Sequence, residues 1–75
     1  MTEISKIWAD DKMIFIQTES GKVFGEKFED YPILRVASPQ QRKAFSCNNL
    51  GIRWDNLDED FSYSGFMTEE KEILV

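Results

Sequence analysis

The sequence predicts a single small α+β domain with antiparallel strands. Three observations carry that reading: short runs of β-forming residues toward both ends of the chain, turn-favouring residues between them, and a capped helix start, "SPQQRKAF", in the middle. The 75 residues hold one domain, 1–75, because two cores could not both be built from so short a chain. Apolar residues make up 41% of it, enough for one thin core and too much for a disordered chain.

Ile4 to Ala9 and Met13 to Thr18 read as strands joined at Asp10-Asp11, whose carboxylates favour a turn. Ser20-Gly21 then leads into Val23-Phe24, since glycine reaches the positive φ that a tight hairpin needs. A three-strand meander results, with Gly25 a candidate bulge. Pro32 disfavours helix at Tyr31 but suits the first position of a short turn over "PILRVA". In the next segment Ser38 is placed to cap a helix, Pro39 to start it and Gln41 to reach back, as in a capping box. Asn48, Asn49 and Gly51 offer an exit, and so short a helix needs its apolar side on the sheet.

From Gly51 the period of two returns. Ile52 and Trp54 flank Arg53, and Phe61 and Tyr63 flank Ser62, which reads as two further strands around an acidic turn with Leu57 tucked inward. Residues 67–75 form a C-terminal tail ending in Ile73, Leu74 and Val75, expected to dock on the domain or on a second subunit because an exposed apolar strand invites aggregation. Trp8, Phe15, Leu34, Phe45, Trp54 and Phe61 are the expected core.

Composition argues against most catalytic chemistry, so the chain is expected not to be an enzyme and to need no cofactor. It has no histidine, which removes the Ser–His–Asp arrangement, a Cys–His pair and most zinc sites. The lone Cys47 can form no internal disulfide and is expected as a reduced, half-buried thiol. The N-terminus lacks the pattern of a signal peptide, and the longest apolar run, "MIFI", is far short of the ~20 residues that cross a bilayer. A cytoplasmic location with no membrane association is the expectation. A single core below roughly 70–80 residues seldom supplies more than ~3–5 kcal/mol, which makes a homodimer or another protein partner a natural further support.

Charge is uneven. Residues 1–45 carry seven acids and seven bases, whereas residues 46–75 carry seven acids against Arg53 and Lys71, so the net −5 lies in the last thirty positions. Nucleic acid demands a basic footprint and is not an expected partner; a basic protein is the easier electrostatic match. The stretch "GIRWDNLDEDFSYSGF" supplies the candidate surface, Arg53, Asp55, Asp58, Glu59 and Asp60. Three readings are open for it: a solvated turn whose carboxylates accept backbone N–H groups, a partner surface, or a ligand- or metal-binding turn using Asp58 to Asp60. For calcium, Asp58, Asp60, Ser62 and Glu69 fall at the first, third, fifth and twelfth loop positions. Tyr63 stands where that loop needs glycine, and "FSYSGF" alternates like a strand.

"PILRVASPQQRKAF" followed by "GIRWDNLDEDFSYSGF" resembles a small bacterial family catalogued as domain of unknown function 2442, over Ile4 to Phe66 and most specifically over Leu57 to Ser62. The chain departs from the family pattern at Arg53, where many members have histidine, so no metal or proton-transfer role is implied there. The resemblance implies no assigned activity. It implies an accessory or regulatory protein, often encoded beside another small protein, which makes the neighbouring gene's product a candidate partner. Some members are joined to a helix-turn-helix domain, which is not expected within these 75 residues, so DNA binding is not implied here.

Overall fold

The computed structural model describes residues 3–73. Two antiparallel sheets form, one of four strands in the order β1 (Ile4–Ala9), β2 (Met13–Thr18), β3 (Val23–Lys27), β7 (Glu72–Ile73), and one of three in the order β4 (Ser46–Cys47), β5 (Gly51–Trp54), β6 (Glu59–Ser62). β1 (Ile4–Ala9) and β2 (Met13–Thr18) have the bounds the sequence suggests. Their turn is held by the Asp10 carboxylate, which accepts the backbone N–H groups of Lys12 and Met13 at 2.8 and 2.7 Å. Those two bonds hold the Asp10 carboxyl below the ordinary value of 3.8. Gly21, at φ +96°, makes the next turn into β3 (Val23–Lys27).

Gly25 is not a bulge: it pairs in regular register with Phe15, and Phe15 and Met13 lie across it so closely that a Cβ would come within 2.9 Å of the Met13 methyl. The irregularity lies in β1 instead, between Ile4 and Lys6.

After a 3-10 turn at Phe28–Asp30, Pro32 opens α1 (Pro32–Arg35), a single turn that buries Leu34. α2 (Pro39–Lys43) carries the expected capping box, with Ser38 Oγ accepting from the Gln41 N–H and Gln41 Oε1 from the Ser38 N–H. It has no buried residue, contrary to the expectation that it would lay an apolar side on the sheet. Polar contacts fasten it. The Arg42 guanidinium donates to the backbone carbonyls of Leu34, Asp11 and Arg35 and lies over the Phe28 ring, while the indole Nε1–H of Trp54 donates to the Arg42 carbonyl.

The helix ends before Asn48. That residue instead turns β4 (Ser46–Cys47) into β5 (Gly51–Trp54), its side-chain oxygen accepting from the Leu50 and Gly51 N–H groups. β5 pairs with β6 (Glu59–Ser62) so tightly at Gly51 that an added Cβ would meet the Phe61 carbonyl oxygen at 1.9 Å. Tyr63 is not in the strand. Ser62 Oγ accepts from the Gly65 N–H and starts α3 (Tyr63–Phe66), which buries Phe66. The tail docks, as far as it is described: Glu72–Ile73 forms β7 on β3, whereas Leu74 and Val75 lie outside the described residues.

The core lies between the sheets and comprises Ile14, Ile16, Phe24, Phe28, Leu34, Ile52, Trp54, Phe61 and Phe66. Trp54 is its aromatic hub, edge-on to Phe61 at 5.0 Å and to Phe28 at 6.3 Å. Leu57 packs against this cluster from the acidic turn. Of the expected core residues, Leu34, Trp54 and Phe61 are buried. Phe45 packs on the cluster but stays half-buried, and Trp8 and Phe15 stack on each other at 5.2 Å on the opposite, outer face of the first sheet. Strand parity decides this, because Ile14 and Ile16 claim the inner face and Phe15 between them must point out. No helix among the described residues is long and apolar enough to cross a membrane.

Candidate functional site

The acidic turn is organised around one cation. Trp54 is pinned in the core, so Arg53, the next residue back along β5, points to the outer face of the second sheet, directly opposite Asp60 on β6. Residues Asp55–Leu57 make a 3-10 turn and Asp58 takes the left-handed conformation, φ 50°, which aspartate tolerates better than most residues. That bend brings the turn back over the strand. Arg53 Nε then donates to Asp55 Oδ1 at 2.9 Å and Nη2 to Asp58 Oδ1 at 2.8 Å, with Asp60 Oδ2 3.8 Å from Nη1. The hydrogen bonds that Arg53 donates to the Asp58 and Asp55 carboxylates raise its pKa above the ordinary value.

The structure therefore gathers Arg53, Asp55, Asp58 and Asp60 on one outward patch. Glu59 is half-buried and does not pair with Arg53; its Oε1 accepts the Asp60 N–H at 3.1 Å. The three aspartate side chains remain between 73% and 90% exposed. Such exposed pairs add little stability, and their effect is to fix where the charge points. Three carboxylates around one guanidinium leave a net −2 in a defined geometry, with the Glu59 carboxylate beside them.

The calcium-loop spacing does not become a loop. Glu59–Ser62 is extended strand, and the Ser62 hydroxyl is committed to the Gly65 N–H. Among the described residues no three His, Cys, Asp or Glu side chains converge on a common point as a metal set. Cys47 is exposed rather than half-buried, yet partial desolvation of its thiol pushes its pKa up, away from the nucleophilic thiolate.

A second polar cluster was not evident in the sequence. Glu26 on β3 is only 7% exposed and accepts both the Tyr31 hydroxyl, at 2.5 Å, and the Lys71 ammonium, at 2.9 Å. Lys71 also donates to the Gly65 carbonyl, so one side chain ties the C-terminal segment to β3 and to α3. Burial, followed by the bond to Glu26, pushes the Tyr31 hydroxyl pKa up, so Tyr31 stays a donor. The charged partners are 45 positions apart, and no local pattern signals a pair at that distance.

No curated protein and no solved structure matches the chain. A family does, over residues 4–72, taking in both sheets, the acidic turn and the Glu26–Lys71 pair. The chain belongs to the family described as protein of unknown function DUF2442.

Proposed function

We propose that the chain is a non-enzymatic interaction or regulatory module that docks a basic protein partner on the Arg53, Asp55, Asp58, Glu59 and Asp60 surface. The observation that supports this is the outward array of three highly exposed aspartates, held in place by a single arginine that they outnumber. A rim of fixed like charge steers an oppositely charged partner and sets its orientation more than it adds affinity.

The test immobilises the chain and a variant carrying Asp55→Asn, Glu59→Gln and Asp60→Asn, and compares what each retains from an extract of the cells that make it. The amides keep an acceptor oxygen for Arg53 and for the Asp60 N–H while removing three charges. The reading predicts an unchanged circular dichroism spectrum and a basic protein held by the parent at low salt and lost by the variant. Equal retention at low and high salt removes this surface from consideration. Calcium titration followed by tryptophan fluorescence separates the reading from cation binding, because Trp54 adjoins Asp55: a saturable change below about 1 mM would favour the cation.

A further inference from the structure

The first sheet carries a surface of opposite character to the acidic turn. Pairing across its strands places Lys6, Trp8, Met13, Phe15, Gln17, Val23, Gly25, Lys27 and Ile73 on the outer face, away from Ile14, Ile16 and Phe24. Trp8 and Phe15 stack there with planes 18° apart, Lys6 Nζ lies 5.1 Å from the Trp8 ring, and Ile73 is 39% exposed. In a chain of net charge −5 the strands of this face contribute Lys6 and Lys27 and no acid, and carboxylates enter only at its Gly25–Ile73 rim, where Asp30 and Glu70 line a second hollow.

At the Met13 end the face runs into a hollow of about 330 Å³ lined by Lys12, Met13, Lys27, Glu29 and Arg42. Arg42 is fixed there by its three bonds to backbone carbonyls, which use three of its five N–H groups and neutralise none of its charge. The ion pairs among the described residues involve Lys43, Arg53 and Lys71, and none takes in Lys12, Lys27 or Arg42. Three cations thus face one carboxylate, Glu29, in a concave site that opens directly onto apolar surface.

We infer that this continuous surface binds an acidic peptide segment of a partner protein, with a carboxylate at Lys12, Lys27 and Arg42 and a neighbouring apolar side chain on Met13, Phe15 and Trp8. Charge complementarity selects this occupant. A second copy of the chain meeting the face through a two-fold axis would bring the lysines of both copies together, with only the rim carboxylates Asp30 and Glu70 to offset them. A nucleic acid strand would find aliphatic Met13, Val23 and Ile73 beside the two aromatics, and its run of phosphates would be repelled by the chain's net charge. A short segment with one or two carboxylates needs only the local cations.

The probes are the blocked tetrapeptide Asp-Leu-Phe-Asp and its neutral counterpart Asn-Leu-Phe-Asn, titrated into the ¹⁵N-labelled chain and followed by amide and indole chemical shifts. Saturable shifts are expected at Lys12, Met13, Phe15, Lys27 and the Trp8 indole, with the acidic peptide bound about five-fold tighter, as fits charge pairs at a partly exposed site. The double substitution Lys12→Gln and Lys27→Gln, at two exposed positions, should leave the spectrum folded and abolish that preference. Any of four results overturns the inference: no saturable shift with either peptide, equal affinity for the two, shifts centred on the Arg53 face, or a preference that survives the double substitution. Tighter binding of an eight-residue oligothymidylate at the same residues would reassign the face to single-stranded nucleic acid. Shifts there that depend on protein concentration alone would reassign it to a second copy.

Discussion

Replacing Trp54 by alanine should leave the domain mostly unfolded. Trp54 is 1% exposed, and an indole buries about 150–250 Å², which at ~25 cal/mol per Å² corresponds to an upper bound of ~4–6 kcal/mol. Truncations of buried aromatics cost ~3–5 kcal/mol, because the surrounding core closes only part of the cavity. Here Phe28, Phe45 and Phe61 all lean on the indole, from the 3-10 turn after β3, the connection between α2 and β4, and β6, so collapse around the gap is restricted. The loss matches the ~3–5 kcal/mol that a core of this size supplies. Urea unfolding followed by far-ultraviolet circular dichroism would read it, with Trp8 left as an independent fluorophore. Trp54→Phe separates packing from hydrogen bonding: it keeps most of the ring contacts but leaves the Arg42 carbonyl without its indole donor, a cost of ~1–3 kcal/mol. The expected order is parent, then Trp54→Phe at a lower midpoint, then Trp54→Ala without a cooperative transition. A cooperative, native-like melt for Trp54→Ala would refute the idea that this aromatic cluster holds the two sheets together.

Lys71→Met should cost about 2–3 kcal/mol, less than the ~3–5 kcal/mol of breaking a fully buried pair, since Lys71 is 27% exposed and Glu26 keeps its bond from Tyr31. Adding Glu26→Gln should recover most of that loss in a thermal melt, and failure to recover it would mean that the charge pair is not what fastens the C-terminal segment. Asp10→Asn should lower stability by roughly 1 kcal/mol near neutral pH, as a neutral amide oxygen accepts the two backbone N–H groups less strongly. The Asp10 pKa is lowered on folding, so its contribution is full above the ordinary value of 3.8 and is lost as pH falls through the lowered one. Parent and variant melts should therefore converge only in strong acid, and a gap independent of pH would contradict the assignment.

Local patterns were legible in the sequence and long-range ones were not. The Ser38–Gln41 capping box, the Asp10 turn and the bounds of β1 and β2 depend on residues within a few positions of one another, and each appears as read. Trp8 and Phe15, expected in the core, lie outside it because parity outweighs hydrophobicity: with Ile14 and Ile16 on the inner face, the aromatic pair has to face out. The alternation that reaches Tyr63 reads as strand but is ended by the Ser62 cap, and β4 is only two residues long, too short to leave a periodic trace. For the candidate site, the clustering of Arg53 with Asp55, Asp58 and Asp60 was visible as a crowded turn. Its organisation was not, because the left-handed Asp58 and the Arg53–Asp60 cross-strand pairing are properties of register. The Glu26–Lys71 pair is a further step removed, joining segments that meet only once β7 lies on β3.

The proposal that the Arg53-centred carboxylates form a docking surface is tested most directly by the salt dependence of association with the captured basic partner. Association rates would be measured for the parent and for Asp55→Asn with Asp60→Asn, from about 0.01 M to 0.1 M ionic strength, where the Debye length shortens from ~30 to ~10 Å. Steering by fixed surface charge predicts that the parent's rate falls steeply with salt, that the variant's falls less, and that the two converge at the upper end while dissociation changes little. Equal rates and equal slopes for the two folded proteins would contradict it and leave the acidic patch as a turn held by Arg53.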